Sequence, residues 1–488
     1  MGAKGVTAVR TGGDRMNYND LMQVDLGKLG TAVSDWETVV QDLRTLAGDA
    51  RDGMKAKSDE ARWQGVNAAV TQSFVGKTAK EFADLHREAE SIWSVLDDAH
   101  TELTELRRRA QDLTTEAGEA GFLVLDDECG RVKVMEAQCT PEETGQKKLD
   151  LMQWYADTLT GIVGHAGEID ASTVRALRGS HGGDPDNPGH GTYTSLDEEM
   201  LPRAIDLAKL GGDASPTERQ ALRRLWESLG PESRAELWSG HKDDLLAAGI
   251  LTPQVKQVAN DDGAGPYDVE DPSWGDRWIE AQAEMMVDSG DIIGNTEASR
   301  HMNHYLEGSG ETLDLDVDRM LSDDEALRLE AQRSVAGQQE EWRRQALAAF
   351  EESGGQPVTI PVETKPAGYT HSDRDWYLAV GSGMTNTTGA VTVVPGADGR
   401  PKVTLDYQVN VWDRYNWDAG KATPIGPTTV TDADMARLHT TGLAREFDMR
   451  GSGSTQHVEL GTEPGPLPDP PDQGREGTRQ DPGREGIR

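Results

Sequence analysis

Residues 26–47, LGKLGTAVSDWETVVQDLRTLA, place Leu26, Leu29, Val33, Trp36, Val40, Leu43 and Ala47 alternately three and four apart. That spacing is a heptad seam, the signature of a helix that buries one stripe against another helix. A longer seam runs through residues 82–113, FADLHREAESIWSVLDDAHTELTELRRRAQDL, at Phe82, Leu85, Ala89, Ile92, Leu96, Ala99, Leu103, Leu106, Ala110 and Leu113. Each seam alone exposes an apolar stripe, so each requires a partner. Between them lies SDEARWQGVN at 58–67, with Gly65 as the break. The simplest solution is an antiparallel hairpin, helix 1 near 19–58 and helix 2 near 67–118. At ~1.5 Å per residue the second helix is about 75 Å long.

Working outward, the 488-residue chain has room for roughly three domains. Its 86 acidic and 49 basic residues give a formal charge of −37, which argues against nucleic-acid binding and against anionic lipid surfaces. No apolar run approaches the ~20 residues that span a bilayer. Two cysteines, Cys129 and Cys139, exclude a disulfide scaffold or a Cys-rich zinc module. Whether they bridge is open at this point, since two free thiols fit as well. Residues 1–15 lack the apolar stretch of a cleavable secretion signal. They read as a disordered leader, or as an over-extended start with Met16 the true one.

Two long helices with Trp63-Gln64-Gly65 at the turn resemble the Trp-x-Gly helical-hairpin family of type VII secretion substrates in actinobacteria. The resemblance covers residues 17–118. It implies export without a cleaved signal, with Trp63 and Gly65 as the turn motif. It also implies that a small helical partner, or a second copy, docks on Leu26, Leu29, Val33, Trp36, Val40, Phe82, Leu85, Ile92 and Leu96. A secretion ATPase follows by the same analogy. The family's Tyr-x-x-x-Asp/Glu export signal is missing from its usual place. The first tyrosine after residue 118 is Tyr155, and Leu159 stands four residues on.

Beyond the hairpin, β-prone runs at 121–125 and 131–135 flank an acidic glycine turn and predict a small β-hairpin. Residues 141–178 read as helix, and the Gly/Pro-rich 180–194 as a linker. Ser195–Glu198, Ser215–Glu218 and Ser322–Glu325 have the spacing of capping boxes, and Pro231 and Pro253 suit first helical turns. These signals predict an all-α middle over 195–355, with a final long helix from Ser322 to about Phe350. From 356 the pattern turns β-rich. Val358–Val362, Trp376–Val380 and Gly389–Val394 are strand-like, and 395–400 is a turn. Val403, Leu405, Tyr407, Val409 and Val411 alternate with polar residues, which predicts one buried and one solvated face. Thr431–Asp434 caps a last helix. Residues 460–488 are Pro, Gly and charge, and read as a disordered tail.

The densest polar-aromatic cluster, Trp412-Asp413-Arg414-Tyr415-Asn416-Trp417-Asp418, follows the best strand. It is similar to the catalytic domain of colicin M-type bacteriocins, which hydrolyse a lipid-linked peptidoglycan precursor. That similarity makes Asp413, Tyr415, Asp418 and His439 the catalytic candidates. Asn416 replaces the family's second Asp, and His439 is followed by Thr440 rather than Arg. His301 and His304 share a helical face as metal candidates. Asp314, Asp316, Asp318 and Glu325 match a calcium loop, except that Arg319 stands where glycine is needed. No cofactor is expected.

The sequence therefore predicts a multidomain, mainly α protein: a long helical hairpin (17–118), a β-hairpin with helices (119–179), an all-α middle and a C-terminal α+β domain with an antiparallel sheet (356–459). The leading functional expectation is a type VII-like secreted substrate, outside the cell or in its envelope, with the C-terminal domain as cargo. The alternatives are a secreted antibacterial toxin or peptidoglycan-precursor hydrolase, and a cytoplasmic coiled-coil protein.

Overall fold

Fifty-four residues, Val66–Glu119, form one uninterrupted helix, α4, in the computed structural model. It is about 80 Å long at ~1.5 Å per residue. The structure describes residues 16–60, 66–127, 131–137, 146–181, 192–254, 263–397, 399–417, 422–425 and 428–461. Trp63, Gly65, Cys129, Cys139 and Asp418 lie outside the described residues, as do most of the expected leader, linker and tail. The protein is mainly helical, with a two-stranded antiparallel sheet and a C-terminal mixed sheet. The chain divides into two compact units, one of residues 1–141 and 155–248, the other of 142–154 and 249–488. The residues expected to form an all-α middle fall on both sides of this division. Among the described residues no helix is long and apolar enough to cross a membrane.

The first unit begins with α1 (Tyr18–Gln23), started by an Asn17/Asp20 capping box, and α2 (Leu26–Gly48), started by Asp25. A seven-residue π-helix, Asp49–Lys55, continues α2 into α3 (Ala56–Glu60). α2 lies antiparallel along α4 as the heptads require, with Leu26, Val33 and Val40 buried. Strands β1 (Phe122–Asp127) and β2 (Arg131–Glu136) pair antiparallel. α5 (Gln146–His181), which belongs to this unit from Tyr155 onward, follows, then α6 (Asp197–Ala208), α7 (Pro216–Ser228) and α8 (Pro231–Ala247). Two of the expected starts hold. Ser215 and Glu218 form a full capping box with Pro216 at the first position, and Pro231 opens α8. At α6 the expected Ser195 cap is not made: the N-cap is Leu196, with no side-chain cap, and the Thr194 N–H and hydroxyl both donate to Glu198. Trp226 and Trp238 pack on each other with centroids 5.4 Å apart, as core residues.

The second unit contains α9 (Trp274–Ile293), α10 (Thr296–Leu306), β3 (Leu313–Asp314), α11 (Val317–Asp323), α12 (Glu325–Ala336) and α13 (Gln339–Glu352). Then come β4 (Val358–Glu363), β5 (Ala367–Thr370), α14 (Arg374–Ala379), β6 (Ser382–Pro395) and β7 (Pro401–Tyr415). β8 (Ala422–Ile425), β9 (Thr428–Thr431), α15 (Asp432–Thr440), β10 (Phe447–Ser452) and β11 (Gln456–Glu459) complete it. The seven-stranded sheet runs β3-β10-β7-β6-β4, with β11 also on β7 and β5 on β6. It is mixed rather than purely antiparallel, because β3 joins β10 in parallel. Helices α12 and α13 cover the sheet face that carries Val391, Val393, Val403 and Leu405. These helices therefore share one core with the strands.

Three local expectations are corrected. Trp376–Val380 is not a strand: Asp373 accepts from the N–H groups of Asp375 and Trp376 and starts α14 there. The long helix from Ser322 is two helices meeting at Gly337–Gln338, and its cap is Asp324, not Ser322. The polar face of β7 is not solvated along its length, since Asp406 and Asn410 are buried. Asn410 donates to Asn386 Oδ1 and Thr388 Oγ1, both at 3.1 Å, and its Oδ1 accepts from Ser452 Oγ at 2.7 Å. Buried amides persist when paired in this way.

Candidate functional site

The two sides of α4 meet different neighbours. On one side lies α2, and the expected partner-binding seam closes there within the chain. Leu26, Val33 and Val40 are buried, and Leu29, Trp36, Phe82, Ile92 and Leu96 are half-buried. Only Leu85 of the nine is exposed. The seam reading is therefore corrected: these side chains hold the hairpin together and leave little surface for a second protein. Arg44 of α2 ties the same side by donating to His86 Nε2 at 3.3 Å and to Glu90 at 3.4 Å.

The other side of α4 is covered for only part of its length. Ser91 Oγ lies 2.9 Å from Ser180 Oγ at the end of α5, and accepts from Tyr193 N–H at 2.7 Å. Further along, Asp98 accepts from Leu196 N–H at 2.7 Å, and Tyr155 donates to Glu116 at 3.0 Å. Between these ties Val95, Ala99 and Leu106 are fully buried. Before Ser91 the same line of α4 is bare: Val70 is 62% exposed, Phe74 65%, and Leu85 is exposed too. At 100° per residue, positions 70, 74, 85, 95, 99 and 106 fall within about 80° of one another. One apolar stripe is thus buried by α5 over its second half and open over its first, for about 30 Å at ~1.5 Å per residue. Sequence reasoning placed Leu85, Ala99 and Leu106 of this stripe in the hairpin seam. A signal existed in Val70 and Phe74, which fall outside the three-and-four spacing of the 82–113 seam.

In the second unit, β7 and β10 position the catalytic candidates. Their antiparallel register sets Tyr415 opposite Phe447 and Asp413 opposite Met449, on the face that carries the core. Tyr415 stacks on Phe447 with centroids 4.9 Å apart, lies tilted against Tyr305 and meets Trp417 edgewise. Among the described residues its hydroxyl reaches Met302 Sδ, at 3.9 Å, and burial pushes its phenol far above the usual range. His439, on α15, uses both ring nitrogens. Nδ1 accepts from Glu446 N–H at 3.1 Å, and Nε2 donates to Gly265 O at 3.0 Å. Burial lowers its pKa, which keeps the ring neutral. The buried Glu446 carboxylate accepts from Ala264 N–H and Trp417 N–H, with Arg414 at 3.5 Å. Asp413 is half-buried, and its charge helps raise the buried Tyr369 phenol after desolvation.

A general base needs a ring nitrogen or carboxylate aimed at a substrate position. Tyr415 and His439 are spent on packing and on backbone hydrogen bonds. The structure brings these two into one aromatic core and does not assemble a catalytic set from Asp413, Tyr415 and His439. The metal candidates also part. His301 Nδ1 donates to Glu297 O at 2.7 Å, and its ring sits against Trp376 and Tyr415, where burial lowers the pKa to about 4. His304 instead donates from Nε2 to Glu311 O at 2.9 Å and stands edge-on to Phe447. The calcium-loop carboxylates serve as caps and ties. Asp316 accepts from Arg319 N–H to start α11, and Asp318 accepts from Ser454 N–H at 2.8 Å and from its hydroxyl. Among the described residues no group of three His, Cys, Asp or Glu side chains is set to hold a metal.

One buried polar chain escaped sequence reasoning. Tyr369 Oη lies 3.0 Å from His371 Nε2, and His371 Nδ1 lies 3.4 Å from Asp324 Oδ2. Asp324 also accepts from Leu327, Ser372 and Asp373 N–H. Burial works against its carboxylate, yet the Asp373 and Leu327 N–H groups and the neighbouring His371 hold the pKa below the usual range. The one sequence signal here was a local cap, read at Ser322 rather than at Asp324. His371, Ser372 and Asp373, the other partners of Asp324, lie more than forty residues away. Comparisons with protein-family models, curated proteins and solved structures returned no match.

Proposed function

We propose that this chain is a secreted substrate of a type VII-like system, its helical hairpin being the partner-binding and export module and its C-terminal unit the cargo. The observation that carries this reading is the half-covered stripe on α4. A long two-helix arm that buries its apolar line against α5, and then runs on bare at Val70, Phe74 and Leu85, is built to take a further helix from outside. A small helical secretion partner or a second copy fits that need, and a secretion ATPase would engage the assembled complex. The docking line is therefore moved from the enclosed part of the seam to the bare stretch of α4 at Val70, Phe74 and Leu85. The export motif remains Trp63 and Gly65, and the route needs no cleaved signal. The hydrolase alternative draws no support from the buried Tyr415 and His439.

The test is secretion of the full chain from an actinobacterium with an intact type VII system, beside the same strain lacking its secretion ATPase. The expected result is accumulation in the washed medium of the first strain only. Phe74→Glu, and separately Trp63→Ala with Gly65→Ala, should be retained in the cells. Equal retention of wild type in both strains overturns the reading and leaves an intracellular coiled-coil protein. Equal release from both strains overturns the type VII route.

A further inference from the structure

In the second unit α9 has two apolar faces. Ala283 is fully buried, and Ile279, Met286 and Val287 pack on the core. On the opposite side Trp274 is 90% exposed and Trp278 63%. Residues four apart lie about 40° apart on a helix, so the two indoles form one ridge, and Ala281 and Met285 continue the same line. Tryptophan carries the largest apolar surface of any side chain, and two on one exposed line are a recognised mark of an interaction site. Placement of α9 does not depend on them. Its register is fixed from behind, where Asp276 accepts from Ser273 N–H and is gripped by Arg437 at 2.8 and 3.0 Å.

The electrostatic setting selects the occupant. Residues 263–293 contain eight carboxylates and one cation, Arg277. Glu270 and Asp276 are answered by Arg437. Glu280 and Glu284 sit on one flank of the ridge and repel each other, and burial together with Glu284 raises the Glu280 pKa. A second copy would bring this acidic surround against itself, in a chain already at −37. An anionic membrane is repelled in the same way. A helix with an apolar stripe and lysine or arginine beside it satisfies both the ridge and its flank.

We propose that Trp274 and Trp278 of α9 form the docking ridge for a short, basic amphipathic helix of another protein. From Trp274 to Met285 the ridge spans about 16 Å at ~1.5 Å per residue, which matches an occupant of roughly eleven to fourteen residues. The proposal rests on the second unit alone and stands or falls separately from the secretion reading.

The experiment uses the full chain and a fluorescein-labelled 14-residue peptide of leucine and lysine, with leucines at helical i, i+4 spacing. A glutamate-for-lysine counterpart serves as control. Fluorescence anisotropy at near-physiological salt should show micromolar binding of the lysine peptide and none of the glutamate one. Trp274→Ser with Trp278→Ser should weaken binding at least tenfold, with the melting curve unchanged. Glu280→Lys with Glu284→Lys should weaken it similarly, and Phe74→Ser should not. Equal binding by the tryptophan double variant overturns the proposal, leaving only diffuse attraction to an acidic protein. Equal binding of the glutamate peptide overturns it too. So does a peptide-free dimer, seen by light scattering, that dissolves in the double variant, since the occupant is then a second copy. Co-sedimentation with phosphatidylcholine vesicles that depends on the two tryptophans likewise overturns it in favour of lipid.

Discussion

The first and second halves of α4 carry the same apolar line in opposite surroundings. Around Leu106 the line is enclosed by α5 and the segments that follow it, while around Phe74 it meets solvent. The chemistry of the stripe does not change at Ser91; the neighbour stops. An apolar seam in a sequence thus states that a helix needs company, and leaves unsaid whether that company is in the same chain.

The comparison breaks most visibly at Leu106. Leu106→Ala should cost about 2–5 kcal/mol in chemical denaturation, the range for a large-to-small change at a fully enclosed site. A cost below about 1 kcal/mol would mean that the covered half is not packed as described. Acid sharpens the same contrast. His165, on α5, faces Glu102 of α4 at 4.0 Å, and burial, with Arg234 and Arg109 adding to it, lowers its pKa to about 3. The unfolded chain takes up this proton near pH 6.5, and the folded one does not until about 3. Stability is therefore full above about pH 6.5 and falls as pH drops, by roughly 1.4 kcal/mol per pH unit. His165→Leu should remove that part of the slope between pH 6 and 4.5, read from denaturation midpoints.

Where coverage ends, Ser91→Ala deletes the contact to Ser180 and leaves Tyr193 N–H without its acceptor. About 1 kcal/mol should be lost, with faster amide exchange at Tyr193 than in wild type. The smallest effect belongs to the bare half. Phe74→Ser should change stability by less than about 0.5 kcal/mol, as for other exposed positions. A loss comparable to that at Leu106 would show that the bare half is covered after all.

Much of the helical unit was legible because its cues are local. Heptad spacing located α2 and α4, and Ser215-Pro216 with Glu218 located α7. The alternation at 403–411 located β7, but which sides are wet was not legible. Asp406 and Asn410 look solvated in sequence and are buried, because partners for Asn410 come from β6 and β10. Trp376–Val380 has strand composition, yet Asp373 supplies two hydrogen bonds that begin a helix there. For the catalytic candidates, sequence placed Tyr415 correctly at a strand end. It could not show that Phe447, Tyr305 and Trp417 converge on that ring from other elements. Trp274 and Trp278 gave no warning at all, since tryptophans at helical spacing ordinarily mark a core.

The seven-residue π-helix Asp49–Lys55 gives the arm a tolerance in length. Elsewhere in α2 the gain or loss of one residue turns every later side chain by 100° and carries the seam off α4. Wider i to i+5 winding can take up or give back a residue locally. This short collar is where the hairpin can be lengthened or trimmed by a single codon while Ala50 and the residues beyond keep their phase.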